Sequence, residues 1–429
     1  MTIVEQLVNK GMEKAQGVQA TLNRSESDHV SFENDKLKSV KSSQGTTISV
    51  KVILDGKIGL SHTTDVSDLD GAVARALDAA AFGSSAHFTF PPPQEMPEVK
   101  TYDPNVPEIG KAEMVDLGKE MIAVVKDYNP DILLSAGLRK VVSTTDFANS
   151  AGIRLSNERS QFKLGVHGQL VRGTDILWAG DSFGWRKREV DHMAVARKTV
   201  RLFQMAEKTA PIRSGNLPVI LAPEGMNILF LALQMGINGK NVVLGASPLA
   251  GHLGERIADE SFTLRDDPLI DYGLGSGNFD GEGVPHQTTP LVVGGVLQNF
   301  LYDLDTAGRA GAQSTGNGVG CSPTNLVMDT GHSSFEEMIE NVDEGLLVYD
   351  VLGLGQGNPV SGAFSVNVNL GYKIEKGKIV GRVKDVMLAG NTYDALKDIA
   401  AIGDKAEWVG GSMIVPPVQI GKLSVVAKS

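Results

Sequence analysis

A single cysteine, Cys321, stands in a chain of 429 residues. No intrachain disulfide can form, so the fold asks nothing of an oxidising compartment. Long apolar runs are also missing. The most apolar stretch, Ile228 to Ile237, contains Gln234, and it is far shorter than the roughly 20 residues a membrane-spanning helix needs. The opening segment, Met1 to Lys14, sets Glu5 and Glu13 among apolar residues at helical spacing, unlike the basic and then continuously apolar profile of a signal peptide. A cytoplasmic location is the expectation, with no membrane as partner. Dense Lys/Arg runs are absent too, and 40 basic against 51 acidic residues give a formal charge of −11. Such a field repels phosphate backbones, which disfavours nucleic acid as a direct ligand. Nor do the eight histidines cluster: no two lie closer than the 25 positions separating His62 from His87. A helix-borne zinc site needs imidazoles about one turn apart, and this chain has no such pair.

What is present is a folded chain. Apolar residues at 41% and charged residues at 21% exclude disordered and fibrous classes, and the length suits two to three domains. Ile3, Val4, Leu7, Val8 and Met12 repeat at helical spacing, while Ile48, Val50, Val52 and Leu54 alternate as a strand. Asp55-Gly56 tolerates the positive φ angles of a tight hairpin. Ser67 is the expected cap of a helix through Leu69, Val73 and Leu77. The order helix, strands, helix then recurs: a helix through Met114, Leu117, Met121 and Val124, strands near Leu133 to Leu138 and Phe162 to Trp178, and a helix from Asp191 to Glu207. The fold class is therefore α+β, with a duplicated helix and antiparallel-sheet unit in residues 1–90 and 111–213. Between the copies, residues 91–110 hold Pro91-Pro92-Pro93, Pro97, Pro104 and Pro107 and read as a connector. Residues 214–429 turn Gly-rich, with short strands at 346–352, 366–374 and 379–387, a mainly β domain. It contains one helix, Glu224 to Met235, entered through Pro223.

Three patterns could carry chemistry. Gly180-Asp181-Ser182-Phe183-Gly184 matches Gly-x-Ser-x-Gly, yet a nucleophile elbow requires a helix to begin at the serine. Here Trp185-Arg186-Lys187-Arg188 intervenes, so a Gly-rich strand end is the better reading of Ser182 and an independent hydrolase the alternative. Gly353-Leu354-Gly355-Gln356-Gly357 lacks the following helix that a phosphate cradle needs, and reads as a turn. Asp266-Asp267 and Asp280-Gly281-Glu282 could pair carboxylates for a cation or for acid/base work, but acids in Gly-rich turns are usually solvated.

Several segments in order resemble the TldD/PmbA family, once described as modulators of DNA gyrase: Leu217 to Glu224, Phe279 to Pro285, Ser314-Thr315-Gly316-Asn317-Gly318, Gly355 to Gly362, Leu388 to Asn391 and Ile402 to Asp404. Val30 to Asn34 and Asn149 to Gly152 fit more loosely. In the TldD-like branch the helix after Pro223 would carry His-Glu-x-x-x-His, whose imidazoles bind zinc and whose glutamate activates water. On that alignment this sequence has Leu231, Ala232 and Gly236, and the family's further cysteine ligand falls at Gly410. The resemblance is thus to the PmbA (TldE) branch. It implies a zinc-less subunit of a two-subunit peptidase, with no catalytic or metal residue of its own. Zinc is expected only in a TldD-like partner, with unfolded or small peptides as substrate and a homodimer in isolation as a further possibility. Glu282, Gly316, Asn317 and Gly318 are the expected substrate contacts. A non-enzymatic homo-oligomeric interaction protein is the other class left open.

Overall fold

The computed structural model describes residues 1–356 and 358–427. The α+β expectation holds, and the duplication is visible in the order of elements. α1 (Ile3–Met12), β1 (Gly17–Glu33), β2 (Lys36–Leu54), β3 (Lys57–Thr63) and α2 (Leu69–Ala80) are followed by α3 (Lys111–Tyr128), β4 (Leu133–Asn149), β5 (Arg154–Arg172), β6 (Asp175–Trp185) and α4 (His192–Met205). Residues 91–110 between them carry neither helix nor strand. The two units merge into one antiparallel sheet, ordered β3-β2-β1-β4-β5-β6, through fourteen residue pairs from Gln19↔Asn149 to Phe32↔Ala136.

Local chemistry explains most boundaries. Asp55 and Gly56 take φ of 50° and 70°, closing the β2–β3 hairpin, which is the left-handed geometry that this dipeptide tolerates. The α2 cap is Asp68, whose carboxylate accepts from the Gly71 amide. The neighbouring Ser67 hydroxyl is instead held by Asp65 at 2.6 Å, so the cap moves one residue along from the expected serine. The expected strand 162–178 is two strands, because Gly173 at φ +65° turns the chain between β5 and β6. Similarly 379–387 is divided by Asp385 at φ +51° into Lys378–Arg382 and Val386–Asn391.

Helices α1 and α2 cover one end of the six-stranded sheet over Val18, Ala20, Leu22, Ile48 and Val50. Helices α3 and α4 cover the other, over Val30, Phe32, Leu138, Phe162 and Leu164. The middle of the long strands is left uncovered. Helix α4 is shared: Tyr372, from a strand of the C-terminal half, donates its hydroxyl to the Leu202 carbonyl at 2.9 Å.

That half contains a seven-stranded sheet around β7 (Gly215–Leu221) and a second, six-stranded sheet of short strands. Between them lies α5 (Asn227–Ile237), with Ile228, Leu229, Phe230, Leu233 and Ile237 in one core that both sheets share. The expected start at Glu224 is a 3₁₀ turn, Pro223–Met226. Proline fixes φ there without supplying an amide, and a tighter first turn follows.

Candidate functional site

Strand β6 lies at the free edge of the N-terminal sheet, and beside it is a cavity of about 380 Å³. Trp178, Gly180 and Ser182 of β6 and His167 of β5 form one wall. Glu224 and Asn227 at the head of α5, Tyr349 and Asp350, and the Trp408–Gly410 turn form the others. Chain segments far apart in sequence therefore meet at the junction between the two halves.

The chemistry of this junction is acidic around one lysine. Lys198 of α4 places its ammonium 2.5 Å from Glu224, 3.0 Å from Glu407 and 3.9 Å from Asp181. Burial works against that ammonium, but Glu224 and Asp181 outweigh it and push its pKa up. Burial pushes the Asp181 carboxyl up to about 6, Lys198 opposing and Glu224 adding to the effect. One Glu224 oxygen, Oε2, is buried without a hydrogen-bond partner among the described residues. His167 is held below its ordinary value by burial and by Lys163, with Asp350 acting the other way. With Asp350 also in the wall, the carboxylates outnumber Lys198, and the cavity suits a cationic group such as a peptide amine.

Ser182 lies inside β6, paired with Gly165 rather than opening a helix. Its side chain shares the cavity wall with His167, but among the described residues no hydrogen bond joins them, so the nucleophile–base pair of a serine hydrolase is not assembled. The Gly353–Gln356 stretch is a turn with Gly353 and Gly355 at φ +86° and +85°, and a short 3₁₀ turn follows at Pro359–Ser361. Gly357 falls outside the described residues.

Of the positions that the resemblance assigns to zinc chemistry, Leu231, Ala232 and Gly236 lie on α5 itself and Gly410 on the turn after Val409. Leu231 lines a cleft with Glu224, Asn227 and Asp350, adjoining the cavity, and Gly410 lines the cavity itself. Leu231 and Ala232 also line a narrow groove with Leu354 and Phe364. Beside Gly236 the space is taken: a Cβ there would sit 2.5 Å from the Tyr393 hydroxyl oxygen and 3.1 Å from Leu249 Cδ1. A leucine, an alanine and two glycines offer no lone pair to a metal, and one side-chain direction is blocked. These residues do not fit a zinc ion.

The four expected substrate contacts are placed elsewhere. Glu282 is buried, accepts from Lys51 at 2.9 Å and from the Leu304 amide at 2.8 Å. Asp280 accepts the Gly318 amide at 2.7 Å, and Asn317 donates to Asp266 at 2.7 Å. Gly316, at φ +75°, passes so close to the Pro285 carbonyl that a Cβ would lie 2.6 Å from it. Together they brace the Gly-rich loops, and none of the four lines the cavity at β6. Asp266 and Asp280 are not the solvated turn residues that their setting suggests: both are buried, and burial pushes each up to about 6. Asp181, Glu224 and His167 went unmarked in the sequence because nothing local distinguishes them; only the docking of sheet on sheet brings them together.

Comparison with known proteins decides the family. The model described as the PmbA/TldA metallopeptidase C-terminal domain matches residues 214–427, and PmbA/TldA metallopeptidase domain 1 matches residues 19–80. The chain belongs to the TldD/PmbA family. A protein of Methanothermobacter thermautotrophicus named a metalloprotease is 28% identical, covering 88% of this chain and 86% of its own. A Thermotoga maritima protein described as a modulator of a DNA gyrase has a TM-score of 0.90 at 25% identity, covering 99% of each chain. TldE from Thermococcus kodakarensis also reaches 0.90, at 22% identity, covering 99% of this chain and 100% of its own, a likeness of fold. No helix among the described residues is long and apolar enough to cross a membrane.

Proposed function

We propose that this TldD/PmbA family member is the subunit that holds no zinc in a TldD/TldE-type metalloprotease, shaping the groove in which a TldD-like partner cleaves unfolded or small peptides. The observation that carries this reading is the filled space beside Gly236, where Tyr393 and Leu249 stand in place of a ligand. A metalloprotease fold that keeps its helix α5 but fills the ligand space has given up the hydrolytic step while keeping the scaffold. The partner supplies the ion and the activated water. This chain contributes the acidic cavity at the β6 edge, where the outermost strand can pair with an extended peptide through backbone groups without reading its side chains. The loop braced by Glu282, Gly316, Asn317 and Gly318 offers exposed Val319 as a further contact for peptide or partner. Assembly with the partner, and not a homodimer, is the working state.

The test is metal analysis together with a peptidase assay on the purified chain alone, at neutral pH with zinc supplied. No stoichiometric zinc and no cleavage are expected. About one tightly held zinc per chain, with cleavage abolished by a chelator, would overturn the proposal.

A further inference from the structure

At the end of the six-stranded sheet backed by α3 and α4, the face turned away from those helices carries a charge pattern that the acidic chain as a whole does not predict. The pairings Lys41↔His29, His29↔Arg139 and Arg139↔Lys163 set three cations and one histidine in a single row across β2, β1, β4 and β5, with Arg139 and Lys163 directly opposite each other. Side chains so paired share one face, and like charges in that arrangement are unfavourable. All four are exposed, and among the described residues no carboxylate lies within 4.0 Å of the Lys41, Arg139 or Lys163 nitrogens or of the His29 ring. The neighbouring rows on this face are uncharged: Ser43, Ser27, Val141 and Gln161 on one side, and Ser39, Ser31, Gly137, Gly165 and Ser182 on the other. The opposite face is built differently. There Asp28 sits between Lys140 at 3.1 Å and Lys111 at 3.6 Å, each cation matched. With −11 net charge the sequence has acids to spare, yet none is placed against the row.

We infer that this row is a binding site for an acidic, extended peptide segment, whose carboxylates pair with Arg139, Lys163 and Lys41 across the sheet. The row spans about 14 Å, three inter-strand spacings of about 4.8 Å, the reach of about four residues in an extended chain. The low-relief serine and glycine row on one side, and Ser43 and Ser27 on the other, let a peptide backbone lie flat and hydrogen-bond to hydroxyls. A peptide is favoured over nucleic acid because the long-range field of the whole molecule repels a polyanion, whereas a short acidic segment needs only the local row. The inference deepens the peptide-groove reading and rests on it for the peptide nature of the ligand. It adds a preference: substrates with acidic residues on the segment that crosses the sheet.

The experiment is fluorescence anisotropy with the full chain alone and a labelled dodecapeptide of Glu, Ser and Gly, beside the same peptide with Lys for Glu and a single-stranded DNA dodecamer. The Glu peptide should bind saturably and weaken in high salt, and the Lys peptide should not compete with it. Arg139→Gln with Lys163→Gln should weaken binding about tenfold or more. Lys14→Gln with Lys378→Gln, two exposed lysines elsewhere, changes net charge equally and should leave it unchanged. Absence of saturable binding, equal loss in both double variants, or tighter binding of the DNA would each overturn the assignment. Because neither partner nor cleavage enters the measurement, its failure leaves the subunit proposal standing, and failure of that proposal leaves a positive binding result interpretable.

Discussion

The hydroxyl of Tyr393 fills the place that a side chain at Gly236 would need, and it lies 3.3 Å from the Ala232 carbonyl one turn earlier on α5. Gly236→Ala should therefore destabilise the fold, by about 1–3 kcal/mol, the usual cost of overpacking. In a Tyr393→Phe background the clashing oxygen is gone and the penalty should shrink, a coupling that urea unfolding of the four-member cycle can read. Equal penalties in both backgrounds would mean that the contact does not define the site. By the same geometry, Leu231→His, Ala232→Glu and Gly236→His together should not create a zinc site while Tyr393 remains.

Lys51 and Glu282 tie the N-terminal sheet to the Gly-rich loops, with side chains only 13% and 3% exposed. Lys51→Met strands a buried carboxylate whose remaining donor is the Leu304 amide. The loss should be about 3–5 kcal/mol, as for other buried pairs broken on one side. Lys51→Met with Glu282→Gln should recover much of it. A single variant as stable as the parent in denaturant unfolding would show that the pair is not what fastens the two halves.

Much of the fold could be read from the chain because local signals agreed with the final packing. Ile48 to Leu54 alternate over a hydrophobic core, and Asp55-Gly56 turns the hairpin where the pattern reverses. The strands run longer than expected, 17 residues in β4 and 19 in β5: β4 continues through residues 140–146, half-buried throughout, and β5 begins with 154–161, where Leu155 is the one apolar residue, so neither stretch shows period-2 contrast. What escaped was the junction. Asp181 stands in a glycine motif with nothing local to mark it, and only the arrival of Lys198 and Glu224 from elsewhere makes it part of a charged cluster. The zinc-helix positions were legible as non-ligands at once, since leucine, alanine and glycine have no donor atoms; that Tyr393 fills the gap required coordinates.

His286 gives a pH prediction with a definite sign. Burial, with the charge of Arg159 adding to it, pushes this imidazole down to about 4. The unfolded chain takes up the proton near 6.5, so between about 6.5 and 4 the unfolded state binds more protons and stability falls as the pH falls. The contribution is fully present above 6.5 and amounts to about 3 kcal/mol at most. Buried Asp266 and Asp280, pushed up to about 6, act in the opposite direction over part of this window, so the parent's net slope is a sum. The difference between parent and His286→Gln isolates the histidine. Unfolding midpoints at pH 7.5 and 5.0 should converge for the two proteins as pH drops, and parallel slopes would contradict the assignment.

The central claim, a scaffold subunit for a zinc-bearing relative, is tested most directly by mixing. The purified chain and a TldD-like protein from the same source should co-elute in gel filtration at micromolar concentration, since lasting interfaces of this kind bury more than about 2,000 Å² in total. Cleavage of an unfolded peptide by the mixture should rise well above that of the TldD-like protein alone and vanish when zinc is removed from it. Separate elution, with the partner cutting equally well on its own, would contradict the account.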